Sequence, residues 1–78
     1  MKKLNGELMS KWVHDNGGRQ AMAKIMAKTG LSASMVEKIA NGRYASEPSY
    51  LVQKALSELT KIDISVLFPE VGAKGRAS

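Results

Sequence analysis

Residues 19–43 read RQAMAKIMAKTGLSASMVEKIANGR, and the spacing of their apolar side chains decides the fold. Met22, Ile25, Met26 and Thr29 fall at i, i+3, i+4 and i+7, one face of a helix, while Ala21, Ala23 and Ala27 permit close approach. The stretch reads as a helix from about Arg19 to Thr29, with Gly30 as its stop. Leu31 is placed to pack back on that helix. Ser32 can then cap a second helix through the amides two and three residues on. Ser34 competes for this role, with Glu37 completing a capping box. Ser32 is preferred because it leaves a turn of about three residues, the length that joins two crossed helices. In the second helix Val36 and Ile39 face inward, with Met35 and Ala40 beside them, and Asn41-Gly42 ends it. Ala33, Ser34, Glu37 and Lys38 are left off that apolar face.

Outward from this pair the pattern stays helical. Toward the N-terminus, Leu8, Met9, Trp12 and Val13 form one stripe of a helix from about Gly6 to Asp15. Asn5 is its N-cap, Glu7 sits in the favourable first turn, and Asn16-Gly17-Gly18 ends it. Toward the C-terminus, a loop from Arg43 to Glu47 precedes Pro48, which suits the first turn of a further helix. That helix runs from Ser49 to about Thr60, with Leu51, Val52, Ala55, Leu56 and Leu59 as a wide apolar stripe. In IDISVLFPE, Asp63 or Ser65 can cap a short turn carrying Val66, Leu67 and Phe68, which Pro69 stops. Residues 71–78, VGAKGRAS, have too little apolar content to pack and read as a mobile tail after a domain spanning 1–70. No stretch alternates with period two, so the chain is expected to be all-α, with four helices and a C-terminal turn.

Composition narrows the function. Seventy-eight residues make one domain, and the absence of cysteine removes disulfides and thiolate zinc sites. A lone histidine, His14, has no second ligand or triad partner and reads as a surface residue. Without a phosphate loop or paired carboxylates, no enzyme, cofactor, metal or small-molecule ligand is expected. Apolar runs are too short for a membrane span, and Asn5, Gly6 and Glu7 stand where a signal peptide needs apolar residues, so a cytoplasmic protein is expected. Residues 1–43 hold eight Lys and Arg against three Asp and Glu, whereas residues 44–78 balance four against four. The entire net charge of +5 therefore lies on the half containing the two-helix unit, which points to a polyanion partner. A short helix held by another, with small and polar side chains facing out among cations, suits the major groove of duplex DNA.

Over roughly residues 18–69, and most strongly over IMAKTGLSASMVEKIANGR, the chain resembles the phage-repressor and Cro-like helix-turn-helix regulators. The shared pattern is carried by Ile25-Met26, Gly30, Ser32, Val36, Ile39 and Asn41-Gly42, and EPSYLVQKALSELTKIDISVLFPE is similar to that family's fourth helix and its LFP ending. The resemblance implies a compact, lambda-repressor-like bundle of four to five helices whose third helix enters the major groove. By position, Ala33, Ser34, Glu37 and Lys38 would approach base edges. Arg19, Gln20, Asn41 and Arg43, with Tyr44 in the loop and Ser49 at the start of the next helix, would hold the backbone. Two departures stand out. Met26 replaces a usual alanine, so the two helices must open slightly there or use methionine's flexibility. Met22 replaces a frequent glutamine. Lys24 and Lys28 read as a solvated face, and Met22, Ile25, Met26, Val36, Ile39 and Trp12 as core.

Two uses fit this reading. The first is a sequence-specific operator binder, acting as a small Cro-like repressor. It would form a weak homodimer, or one that assembles on DNA, through the fourth helix and residues 62–68. The alternative is an antitoxin-like or adaptor module that grips a protein partner on the same fold.

Overall fold

The computed structural model describes residues 2–70, in which the order of elements is α1 (Gly6–Asp15), α2 (Arg19–Thr29), α3 (Ala33–Ala40), α4 (Tyr50–Thr60) and α5 (Ile64–Leu67). The expected tail, 71–78, lies outside the described residues. Four of the five helices start at a side chain that caps their first amides. Asn5 Oδ1 accepts from the Leu8 amide at 3.2 Å, Ser32 Oγ from Met35 at 3.3 Å, and Ser49 Oγ from Val52 at 3.4 Å. Ser34 lies inside α3, so the competing capping register is not used. Asp63 rather than Ser65 caps α5: its carboxylate accepts from the Ser65 amide at 2.8 Å and hydroxyl at 2.6 Å. Those two donors hold the Asp63 carboxyl below its ordinary value.

Met9, Ile25, Val36, Ile39, Leu56, Leu67 and Phe68 are fully buried, drawing on all five helices. Ala21 and Ala40 let the helices close on that centre, and Trp12, Met22, Leu31 and Tyr44 are partly buried against it. Leu67 and Phe68 thus belong to the monomer core.

Several expectations about α2 and α4 need correction. Met26 is not core but 39% exposed, and Met22 is only partly buried. The buried stripe of α2 is Ala21 and Ile25, with Thr29 beside it, and Met26 lies about 100° around the helix from Ile25. Leu51 is 77% exposed, because it falls about 140° from Leu56 around α4. The buried face of α4 includes Gln53 and Thr60 instead. Both polar groups are satisfied: Gln53 Nε2 donates to the Pro48 carbonyl at 2.8 Å and the Thr60 hydroxyl donates to Leu56 O at 2.8 Å. Pro48 is buried ahead of the Ser49 cap rather than in the first turn of α4.

The N-terminal residues are also used. Lys2 forms an isolated antiparallel bridge with Glu70, the Lys3 amide donates to Pro69 O at 3.1 Å, and the Asn5 amide donates to Leu67 O at 2.7 Å. Leu4 is buried between these bonds. This short pairing is the sole departure from helix pairing among the described residues, and it ties the start of α1 to the end of α5.

Lys61 ends α4 at φ 62°, the single non-glycine residue with positive φ among those described. A lysine there bears the steric cost of a left-handed residue, about 1 kcal/mol. Lys61→Gly is therefore expected to raise stability by about 0.5–1 kcal/mol, read as a shift in urea midpoint with an unchanged slope. A lowered midpoint would show that the side chain contributes more than its backbone costs.

Candidate nucleic-acid interface

The outward face of α3 follows from its buried one. Val36, Ile39 and Ala40 turn inward, so Ala33, Ser34, Glu37 and Lys38, lying three and four residues apart, form an exposed ridge along the opposite side. All four residues expected to approach base edges stand on this ridge. Asn41, the C-cap, continues it for another half turn.

The end of α3 fixes what stands beside the ridge. The Gly42 amide donates to Ile39 O at 3.0 Å and the Arg43 amide to Lys38 O at 2.8 Å, the paired bonds of a Schellman ending. Gly42 supplies the left-handed residue this needs, at φ 70°. The backbone of Arg43 is thereby folded back onto the last turn of α3. A cleft of about 480 Å³ lies between that turn and the following loop. Glu37, Lys38, Asn41, Arg43 and Tyr44 all line it, together with Met35. Half of the ten expected contact residues thus meet around one hollow. Tyr44 packs against the core and also lines this cleft.

On the other flank of the ridge α2 and α3 leave an open groove of about 420 Å³ lined by Met22, Ala23, Met26, Ala27, Ala33 and Val36, with Arg19 also on its wall. Arg19 and Gln20 are exposed at the start of α2, whose N-cap, Gly18, offers no side-chain hydrogen bond. Ser34 and Gln20 line neither hollow, and Ser49 is set apart from both, its hydroxyl engaged in capping α4. Lys28 is tied across to α4 by a 3.3 Å ion pair with Glu58, whereas Lys24 is exposed. Sequence reasoning had no signal for that inter-helix pair, since its partners lie thirty residues apart. Nor did it assign Met35 to the cleft, although its offset from Val36 toward the loop side was readable.

The electrostatics are simple. Lys38, Arg43 and Arg19 are exposed cations spread across α3 and the start of α2, and Glu37 is the one acid among the residues lining either hollow. No group of three His, Asp or Glu residues among those described is placed to hold a metal ion, and no described helix is long and apolar enough to cross a membrane. No protein-family model matches the chain, and neither a curated protein nor a solved structure proves similar to it.

Proposed function

We propose that this protein is a sequence-specific duplex-DNA-binding regulator of transcription that presents α3 to the major groove. The observation that carries the reading is the exposed ridge of α3 with Lys38, Asn41, Arg43 and Tyr44 gathered at its C-terminal end. Lys38 is suited to donate to guanine O6 or N7, Ser34 to donate or accept, and Glu37 to accept from cytosine N4. Arg43 and Asn41, at the helix end, suit phosphate, as do Arg19 and Gln20 at the open start of α2. The resemblance to Cro-like helix-turn-helix regulators supports the same assignment and favours a repressor that acts by occupying its operator.

One short helix reads too few base pairs for tight specificity, so two copies on adjacent half-sites are part of the proposal. Tyr50 and Leu51 on α4 and Val66 on α5 are 66%, 77% and 49% exposed, and they supply apolar surface for that contact. The same residues would serve the adaptor reading, in which a different protein covers them.

Selection from a random duplex library, followed by titration at several salt concentrations, tests the proposal. An enriched sequence is expected, with log K falling against log salt by roughly 0.9 per phosphate contacted. Lys38→Ala is expected to relax preference at one base position, by about 1–3 kcal/mol of discrimination. Arg43→Ala is expected to weaken all sequences alike and to flatten the salt slope by about 1. No enrichment and no salt slope would overturn the DNA reading. Identical behaviour of the two variants would remove α3 as the base reader.

A further inference from the structure

Resting on the DNA reading above, we propose that the groove between α2 and α3 is a thymine reader, in which Met22 and Met26 receive a thymine C5-methyl group beside the bases met by α3. Helix α2 carries two apolar stripes, and only one is fully buried. Ala21 and Ile25 are buried in the core. Met22, Ala23, Met26 and Ala27 form a second stripe, at i, i+1, i+4 and i+5, in which Met22 is partly buried and the other three are exposed. Ala33 and Val36 complete it from α3, so the groove is continuous with the base-facing ridge through Ala33.

The surroundings select the occupant. Arg19 stands on the groove wall one turn before Met22 and Ala23, and no acidic residue lines the groove. The net charge of this half of the chain is +5. An apolar strip bordered by a cation and by no acid matches a surface that offers isolated methyl groups between rows of anions. The major groove is such a surface: the thymine methyl is its one apolar group, and phosphates border it on both sides. An apolar protein segment would fill the strip but leave Arg19 without a counter-charge. Two methionines suit the task, because a flexible thioether adapts to a small group whose position varies with groove width.

The test uses the duplex recovered by selection and the same duplex with each thymidine replaced in turn by deoxyuridine, which removes only the methyl. Binding of the full chain is expected to weaken about fourfold at one or two positions, the effect of leaving one methyl unburied. Met26→Ser and Met22→Gln, both at solvent-accessible positions and first checked for an unchanged unfolding midpoint, are expected to bind the two duplexes alike. Should the parent bind every deoxyuridine duplex as well as the thymidine one, the thymine assignment falls while the DNA reading stands. Variants that keep the fourfold ratio would also overturn it. Loss of self-association in Met26→Ser, with a ratio of one throughout, would give the groove to a second copy. Failure to enrich any duplex would overturn both this assignment and the reading on which it rests.

Discussion

Gly6→Ala is expected to destabilise the protein by about 2–3 kcal/mol, although alanine is the better helix former by about 1 kcal/mol. Gly6 is the first residue of α1, where local propensity alone favours the substitution. In the folded chain a Cβ at this position would stand 2.6 Å from the Gly42 carbonyl oxygen and 3.0 Å from Gly42 Cα. Both are backbone atoms, so no side chain can move aside, and α1 must shift away from the end of α3. The relation is mutual: a Cβ on Gly42 would meet Gly6 O at 2.8 Å. Gly42→Ala adds the cost of a positive φ, about 1 kcal/mol, and is expected to be the more damaging of the two. Gly30→Ala is the control. It also has positive φ, at 74°, but nothing lies within 4 Å of its added Cβ, so it should lose only the backbone cost. Chemical denaturation of the three variants reads the series directly. Equal losses at positions 30 and 42 would show that the α1–α3 contact yields without cost. Because Gly42 also sets the Schellman ending, Gly42→Ala is expected in addition to weaken the duplex binding proposed above, by displacing Arg43 from Lys38.

The second large effect is expected at Phe68. Its side chain is 1% exposed and lies in the core, on the segment that the N-terminus clasps through Asn5 and Lys3. Phe68→Ala should cost about 3–5 kcal/mol, the transfer term plus an unfilled cavity. A chain of this size has roughly 4–12 kcal/mol of total stability, so the variant is expected to lose at least about a quarter of it and to melt well below the parent. Circular dichroism against temperature would show it, and Val66→Ala provides the contrast. Val66 is next but one in sequence yet 49% exposed, and its loss should leave the midpoint within about 0.5 kcal/mol. In the dimer proposed above, Val66→Ala instead lowers self-association. A mild Phe68→Ala phenotype would mean that α5 docks loosely and that the core closes without it.

Much of this molecule was legible in one dimension because its signals are local. Asn5 and Ser32 cap their helices through amides three residues away, and Gly30 and Gly42 end theirs through a backbone conformation that suits glycine. Chemistry confined to one turn is fully written in the sequence. The register of α3 was legible for the same reason. Val36 and Ile39 fix which way the helix rolls, and that places Ala33, Ser34, Glu37 and Lys38 outside. Periodicity misled where a helix carries more apolar residues than its neighbours can cover. In α2, Met22, Ile25 and Met26 satisfy a helical stripe, but Ala21 and Ile25 face the core and Met26 opens onto a groove. In α4, Leu51 continues an apolar run that the core does not reach, while Gln53 and Thr60 are taken inside because Pro48 and Leu56 offer them carbonyls.

The sequence by itself determined four helices and a C-terminal turn, several of their caps and stops, and which side chains of α3 lie off its apolar face. Only the tertiary structure decided which apolar residues lie in the core, that Gly6 and Gly42 must lack side chains, and that the N-terminus clasps the LFP segment. It also brought Arg43 and Tyr44 into one cleft with Lys38. The division has a physical cause. Caps, stops and helix faces are settled by hydrogen bonds and sterics within a few residues, whereas burial depends on which surfaces happen to meet. That meeting is a property of the whole fold, and no window of the sequence contains it.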